Sequence, residues 1–160
     1  MEGYGYRISF HKYETDDGYV NTAFRIAKNG QNGLDTTIED SDGEEFPLDP
    51  SFKIDCKPHK SFPKKVVILQ HSILHSGLQF LLNGFSSLAF LLVDRGYDVW
   101  LNNSRGSIFS KEHQFLDLNI LGSGLSEVKH QAKKYYDFSF HEMAIYDLPA
   151  LWKMVLKETK

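Results

Sequence analysis

The sequence predicts an α/β fold, in which helices pack against a largely parallel sheet. Residues Val66–Gln70 form a continuous apolar run, the pattern of a strand covered on both faces. Residues Leu88–Arg95 are apolar nearly all round and read as a buried helix. The run "YDVWL", residues 97–101, follows at once and reads as a second buried strand. Strand, helix and strand in this order predict a crossover that joins a parallel pair.

The N-terminal region is predicted to be a β-hairpin. Residues 5–14 alternate imperfectly between apolar and polar side chains, and residues 19–27 are rich in β-branched and aromatic ones. Asp16, Asp17 and Gly18 lie between the two runs and supply turn chemistry. Residues 28–63 are polar and rich in Gly, Asp and Pro, which predicts a long connection to the α/β unit.

The C-terminal region is predicted to be helical, whereas residues 102–137 read as mostly irregular. In "SFHE", Ser139 is expected to cap a helix and Glu142 to be its reciprocal partner. Asp147 is expected to cap a second helical piece, with Pro149 near its start. One face of that piece carries Leu151, Trp152, Val155 and Leu156.

Composition indicates one globular domain spanning residues 1–160. The net charge of -3 argues against nucleic acid as a partner. The single cysteine, Cys56, excludes an internal disulfide, and the acidic run at residues 39–45 lacks the spacing of a calcium loop. We therefore expect no metal and no cofactor.

The end of the first apolar strand is the candidate site, because sites of parallel α/β sheets lie beyond the carboxyl ends of the strands. His71 and Ser72 lie there. A small residue lets the backbone approach a substrate carbonyl and direct an N–H at the oxygen that gains negative charge. Three alternatives are an ordinary loop, a metal site using His71 and His75, and a nucleophile and base drawn from Ser72, Ser76 and the two histidines. No third metal ligand and no orienting acid is indicated.

Three stretches, "LQHSILHSG", "SLAFLLVDRGYDVWLNNSRG" and "FSFHEMAIYDLPA", resemble the acid lipase family of α/β-hydrolases, which includes gastric, lingual and lysosomal acid lipases. The hairpin "YETDDGYVNTAFRI" is similar to that family as well, and the order of matches holds from Gly3 to Leu156. The resemblance implies an incomplete α/β-hydrolase fold, in which the strand bearing the nucleophile and the lid are absent.

The resemblance also implies roles for individual residues. The backbone N–H of Ile73 corresponds to the family's oxyanion donor, and His71 and Ser72 complete the oxyanion loop. Ser72 departs from the family's glycine, and a serine tolerates a positive φ poorly. His141 replaces an aspartate near a helix start. Arg105 is read as structural, pairing with a carboxylate.

The family's nucleophile motif, Gly-x-Ser-x-Gly, does not occur in the 160 residues, and "GFSSL" at residues 84–88 lacks the final glycine. The triad is therefore absent here. We expect the N-terminal portion of a lipase that acts on triacylglycerols or steryl esters and is inactive alone. The alternative is a non-catalytic relative that binds lipid or a partner.

Two further expectations concern partners and location. Without the nucleophile strand, Val66–Gln70 becomes an open apolar edge, which favours self-association. A lipid ester is the expected substrate once the fold is completed. The resemblance suggests a secreted or lysosomal protein, but the N-terminus shows no signal segment, so the compartment stays open.

Overall fold

A computed structural model describes residues 5–28, 64–116 and 125–160. The predicted 28–63 connection, Cys56 and the acidic run lie almost wholly outside them. The elements in chain order are β1 (Tyr6–Glu14), β2 (Tyr19–Lys28), β3 (Val66–Leu69), two 3₁₀ turns (Gly77–Leu81 and Gly84–Ser86), α1 (Leu88–Asp94), β4 (Asp98–Asn103), β5 (Glu112–His113), α2 (Leu125–Tyr135), α3 (Phe140–Glu142), a π-helical segment (Met143–Asp147) and α4 (Leu148–Glu158).

The predicted hairpin is confirmed. Strands β1 and β2 pair antiparallel from Tyr6 opposite Lys28 to Glu14 opposite Val20. The turn between them places Gly18 at a φ of 95°, a conformation that glycine adopts without steric cost. The long β2 strand then pairs on its other side with β4 and with the short β5.

The predicted parallel pair is also confirmed, since β3 runs parallel to β4 from Val66 opposite Asp98 to Leu69 opposite Leu101. The sheet order is β1-β2-β4-β3, so every residue of the inner strand β4 is buried. The expectation that β3 is covered on both faces holds in part. Leu69 packs against the hydrophobic cluster on one face of the sheet and Ile68 against the cluster on the other. Coverage is incomplete, since Val66 is 39% exposed and the next three residues are half-buried. In the described part of the chain only β4 pairs with β3, so its other edge is open.

Helices cover both faces of this sheet. On one face α1 packs through Phe90 and Val93 against Phe24 and Val99, but its first residue, Leu88, is 47% exposed. On the other face α4 packs against Trp100, with Leu151 and Val155 buried as predicted. Burial of each such side chain contributes about 1.5–3 kcal/mol. Trp152 and Leu156, which were predicted to share the buried face of α4, are instead 60% and 46% exposed.

The capping box at the start of α3 is confirmed. The Ser139 hydroxyl accepts the N–H of His141 at 3.1 Å, and the Ser139 N–H donates to the Glu142 carboxylate at 2.7 Å. His141 is exposed, and its own backbone N–H supplies one of these bonds, so its side chain is not needed for the cap.

The prediction that Asp147 caps a separate helix is wrong. Helical structure continues from Phe140 to Glu158, and Asp147 is fully buried within it. The Leu148 N–H donates to the Met143 carbonyl, a widened π-type turn. Pro149 lacks an N–H and crowds the carbonyl four residues before it, and the widened turn accommodates both effects.

The prediction that residues 102–137 are mostly irregular is wrong for Leu125–Tyr135, which form helix α2. Its inner side carries Val128, Ala132 and Tyr135, and Tyr135 is completely buried. In the described ranges, no helix combines the length and the apolar character that crossing a bilayer requires.

Candidate functional site

A cleft of about 900 Å³ opens where β3 and β4 end. Residues from three segments line it: the segment from Gln70 to Leu82 after β3, residues 104–108 after β4, and the segment from Tyr136 to Leu148, which includes α3. Parallel strands bring their carboxyl ends to one edge of a sheet, so the first two segments meet there. The predicted site residues His71, Ser72 and Ile73 all lie in this cleft.

His71 ties the two strand ends together. Its imidazole is largely buried, and its Nε2 accepts the Ser104 backbone N–H at 3.0 Å. An accepting Nε2 carries no hydrogen, so the ring is the tautomer protonated at Nδ1. Nδ1 then donates to the Ser72 carbonyl oxygen at 2.8 Å.

The Ser72–Ile73 peptide is thereby fixed in orientation. Its carbonyl oxygen accepts from His71 Nδ1 and from the His75 N–H at 3.1 Å. A trans peptide is planar and directs its N–H away from its carbonyl. In the portion of the chain that the structure describes, no acceptor pairs with the Ile73 N–H. The Ile73 N–H is also the donor that the family resemblance predicts for the oxyanion hole.

Ser72 does not need the conformation that makes glycine necessary. Among the described non-glycine residues, Leu74 is the single one with a positive φ, at 66°, and its side chain is 99% exposed. The left-handed turn thus lies two residues after the position where the family carries glycine. The replacement of glycine by Ser72 therefore imposes no backbone strain at that residue.

Side chains beneath the loop form a hydrogen-bonded cluster. The His71 carbonyl can only accept, and this determines which group donates in each of the other hydrogen bonds. Gln70 Nε2 donates to the His71 carbonyl at 3.0 Å, which leaves Gln70 Oε1 as an acceptor. Asn102 Nδ2 donates to that oxygen at 2.6 Å, so Asn102 Oδ1 accepts the Tyr13 hydroxyl at 2.7 Å. Both amides also donate to the Ser104 hydroxyl oxygen, at 3.0 and 3.2 Å.

The far end of the loop is fixed by β4. The Gly77 N–H donates to the Asn103 side-chain oxygen at 2.9 Å, and Asn103 Nδ2 donates to the Thr22 carbonyl at 3.0 Å. A Cβ on Gly77 would lie 3.0 Å from the Asn102 carbonyl oxygen. Close approach of the loop to β4 therefore requires glycine here.

Arg105, the next residue after this cluster, confirms the predicted pairing with carboxylates. Its buried guanidinium donates to Asp17 at 2.6 and 2.9 Å and to Asp147 at 2.8 and 2.9 Å. It also stacks 3.9 Å from the Tyr19 ring centroid. Burial alone would lower the pKa of Arg105, but the hydrogen bonds and charges of Asp17 and Asp147 outweigh it and raise this pKa above its ordinary value. Arg105 therefore stays charged.

The two carboxylates differ in their surroundings. Burial alone would raise the pKa of Asp17, but hydrogen bonds from Arg105 and Thr15 lower it below the ordinary value. Complete burial raises the pKa of Asp147, against the opposing hydrogen bonds from Arg105. Asp17 and Asp147 thus bind Arg105 in the turn after β4, and neither of them lines the cleft.

The alternative chemistries find no support in the geometry. The ring of His71 is engaged by Ser104 and Ser72, and His75 is exposed. The described ranges hold no group of three or more His, Cys, Asp or Glu side chains placed to bind a metal. Sequence reasoning missed Gln70 and Ser104 as parts of the site. Their positions could have predicted this role, because Gln70 follows β3 and Ser104 follows β4, and these parallel strands end at the same edge of the sheet.

Comparison with known proteins identifies relatives. The model of the family described as "Partial alpha/beta-hydrolase lipase region" matches residues 1–84. A tear acid lipase-like protein of Mesocricetus auratus is 34% identical over 157 residues, covering 98% of this chain and 30% of that protein. Gastric triacylglycerol lipase of Bos taurus is 33% identical over 159 residues, with coverage of 98% and 30%.

A third relative is a putative lysosomal acid lipase/cholesteryl ester hydrolase of Crotalus adamanteus, 41% identical over 98 residues, which cover 61% of this chain and 22% of that protein. The chain thus spans less than a third of the length of these three relatives. The mixed sheet with helices on both faces is consistent with a partial α/β-hydrolase fold. The resemblance read from the sequence is confirmed, and the chain belongs to the family of partial alpha/beta-hydrolase lipase regions.

Proposed function

We propose that this chain supplies the oxyanion loop of a carboxylic ester hydrolase whose substrates are triacylglycerols or steryl esters. The observation that carries the proposal is the Ser72–Ile73 peptide, whose carbonyl is held by His71 while its N–H has no acceptor in the described part of the chain. These substrate classes are the ones named for two relatives, the gastric triacylglycerol lipase and the putative lysosomal acid lipase/cholesteryl ester hydrolase.

The chemistry is acyl transfer to a serine. When a serine hydroxyl attacks the ester carbon, negative charge develops on the carbonyl oxygen, and the Ile73 N–H donates to it. One such donor contributes about 3 kcal/mol to transition-state stabilisation in other enzymes. The hydrogen bond from His71 to the Ser72 carbonyl polarises the same peptide and strengthens its N–H as a donor.

The 160 residues contain no Gly-x-Ser-x-Gly motif. We therefore assign the nucleophilic serine and the rest of the catalytic triad to polypeptide other than these residues. The apolar wall of the cleft would hold the acyl chain. Its side chains are Ile73, Leu74, Leu78, Leu82, Ile108, Phe140, Met143 and Leu148.

Two measurements test this proposal. Sequencing the transcript beyond codon 160 is expected to reveal an in-frame Gly-x-Ser-x-Gly, and an immediate stop codon would favour the non-catalytic lipid- or partner-binding relative. A fluorophosphonate probe added to the purified chain is expected to label no serine. Stoichiometric labelling would contradict the assignment of the nucleophile to other polypeptide.

We also propose that the isolated chain self-associates through β3. Both β1 and β3 are edge strands in the described sheet, but β1 carries Arg7, Lys12 and Glu14, whereas β3 is entirely apolar. Charged side chains blunt an edge, so β3 is the edge open to pairing. Light scattering after size exclusion is expected to show oligomers that Val66→Lys dissociates and Phe10→Lys, on β1, does not. A monomeric parent chain would refute this.

A further inference from the structure

Ser104 carries a hydroxyl hydrogen with no assigned acceptor at the edge of the cleft. Its oxygen receives Gln70 Nε2 and Asn102 Nδ2, and both of these groups are donors by the chain of hydrogen bonds that starts at the His71 carbonyl. A hydroxyl has two lone pairs and one hydrogen, so both lone pairs are used. The hydrogen must be donated elsewhere.

In the residues that the structure describes, no hydrogen bond donated by the Ser104 hydroxyl is found. Ser104 is only 3% exposed, and it lines the cleft together with His71, Ser72 and Ile73. A buried donor without an acceptor costs free energy that a ligand oxygen recovers on binding. The Ser104 hydroxyl accepts two hydrogen bonds from the protein, and its hydrogen is available to donate one to a ligand.

We propose that the Ser104 hydroxyl donates a hydrogen bond to an oxygen of the ester ligand, as a second donor at this end of the cleft after the Ile73 N–H. The inference rests on the proposed function, since it takes an ester as the occupant. It makes Ser104 a ligand-contacting residue that favours an ester over a plain hydrocarbon.

Ser107 provides a matched control. It lies in the same turn and lines the same cleft, and its hydroxyl oxygen is buried without a partner among the described residues. Unlike Ser104, it receives no amide donors that would orient its hydrogen. Removing its hydroxyl tests the general effect of losing a serine from this turn.

The test is an NMR titration of the chain and its variants with two probes, methyl pentanoate and n-pentane. Ser104→Ala is expected to weaken methyl pentanoate binding about fivefold, the effect of one neutral hydrogen bond. Binding of n-pentane should stay unchanged. Ser107→Ala is expected to weaken methyl pentanoate binding less than Ser104→Ala does, because no amide donors orient the Ser107 hydrogen, and to leave n-pentane binding unchanged.

The outcomes separate this inference from the proposed function. Equal weakening for both probes would overturn the inference, because loosened packing affects ester and hydrocarbon alike. Parent-like ester binding by Ser104→Ala, with the Ile73 amide still responding, would overturn the role of Ser104 and leave the oxyanion loop in place. A parent chain that binds neither probe in the cleft would overturn both.

Discussion

Replacing Arg105 with methionine is expected to lower the free energy of unfolding by about 3–5 kcal/mol, because the buried Asp147 carboxylate then loses its charged partner. The side chains of Arg105 and Asp147 are 1% and 0% exposed, so water cannot replace the lost hydrogen bonds. Urea unfolding measures the change. Lys12→Met is the control, because the Lys12–Glu112 pair is 59% and 62% exposed and contributes about 0–1 kcal/mol.

A second variant distinguishes the effect of losing the Arg105–Asp147 ion pair from the effect of changing side-chain volume at position 105. Arg105→Met combined with Asp147→Leu removes both buried charges, so it should recover at least about 2 kcal/mol relative to Arg105→Met alone. If Arg105→Met does not fold, Asp17→Asn gives the smaller step, a loss of about 1–2 kcal/mol, since Asp17 is 26% exposed. A loss in Arg105→Met no greater than that in Lys12→Met would show that the buried Arg105–Asp147 pair contributes no more than an exposed pair.

Three further predictions concern the loop and the helix cap. Leu74→Gly should raise the unfolding free energy by about 1 kcal/mol in urea, since it relieves the positive φ without removing packing. Gly77→Ala should lower it by about 1–3 kcal/mol through the close Asn102 carbonyl. Hydrogen bonds from Ser139 lower the pKa of Glu142 from 4.5 to about 2, so an NMR titration of Glu142 should show a midpoint near pH 2, and Ser139→Ala should return it toward 4.5. The stability that the cap contributes is then complete above pH 4.5 and is lost as pH falls from there through 2.

The elements predicted correctly are those that depend on residues close together in the sequence. The strand β3 was predicted from an uninterrupted apolar run, and the Ser139–Glu142 box depends on two residues three apart. These elements formed where the sequence placed them. The loop after β3 lies in the cleft at the sheet edge, as expected, because strand direction alone decides at which edge the loop emerges. Its role as an oxyanion loop stays a prediction.

The errors at Asp147 and Ser104 arose where long-range contacts decide the structure, whereas helix α2 was missed for a local reason. Asp147 has the sequence context of a helix cap, but its carboxylate pairs with Arg105, which is 42 residues away. Helix α2 was missed although Val128, Ala132 and Tyr135 recur at helical spacing, because the preceding Gly/Ser stretch obscured it. The role of Ser104 required knowledge of two amide orientations, which only the assembled hydrogen-bond cluster provides.

The most direct test of the oxyanion loop is the Ile73 amide itself, followed in ¹⁵N–¹H spectra as methyl pentanoate is added. We predict that the Ile73 amide proton moves downfield as it donates to the ester oxygen, and that His71→Phe abolishes this response by releasing the Ser72 carbonyl. An Ile73 amide that stays unmoved, while the methyl groups of Leu78 and Ile108 report an occupied cleft, would contradict the account.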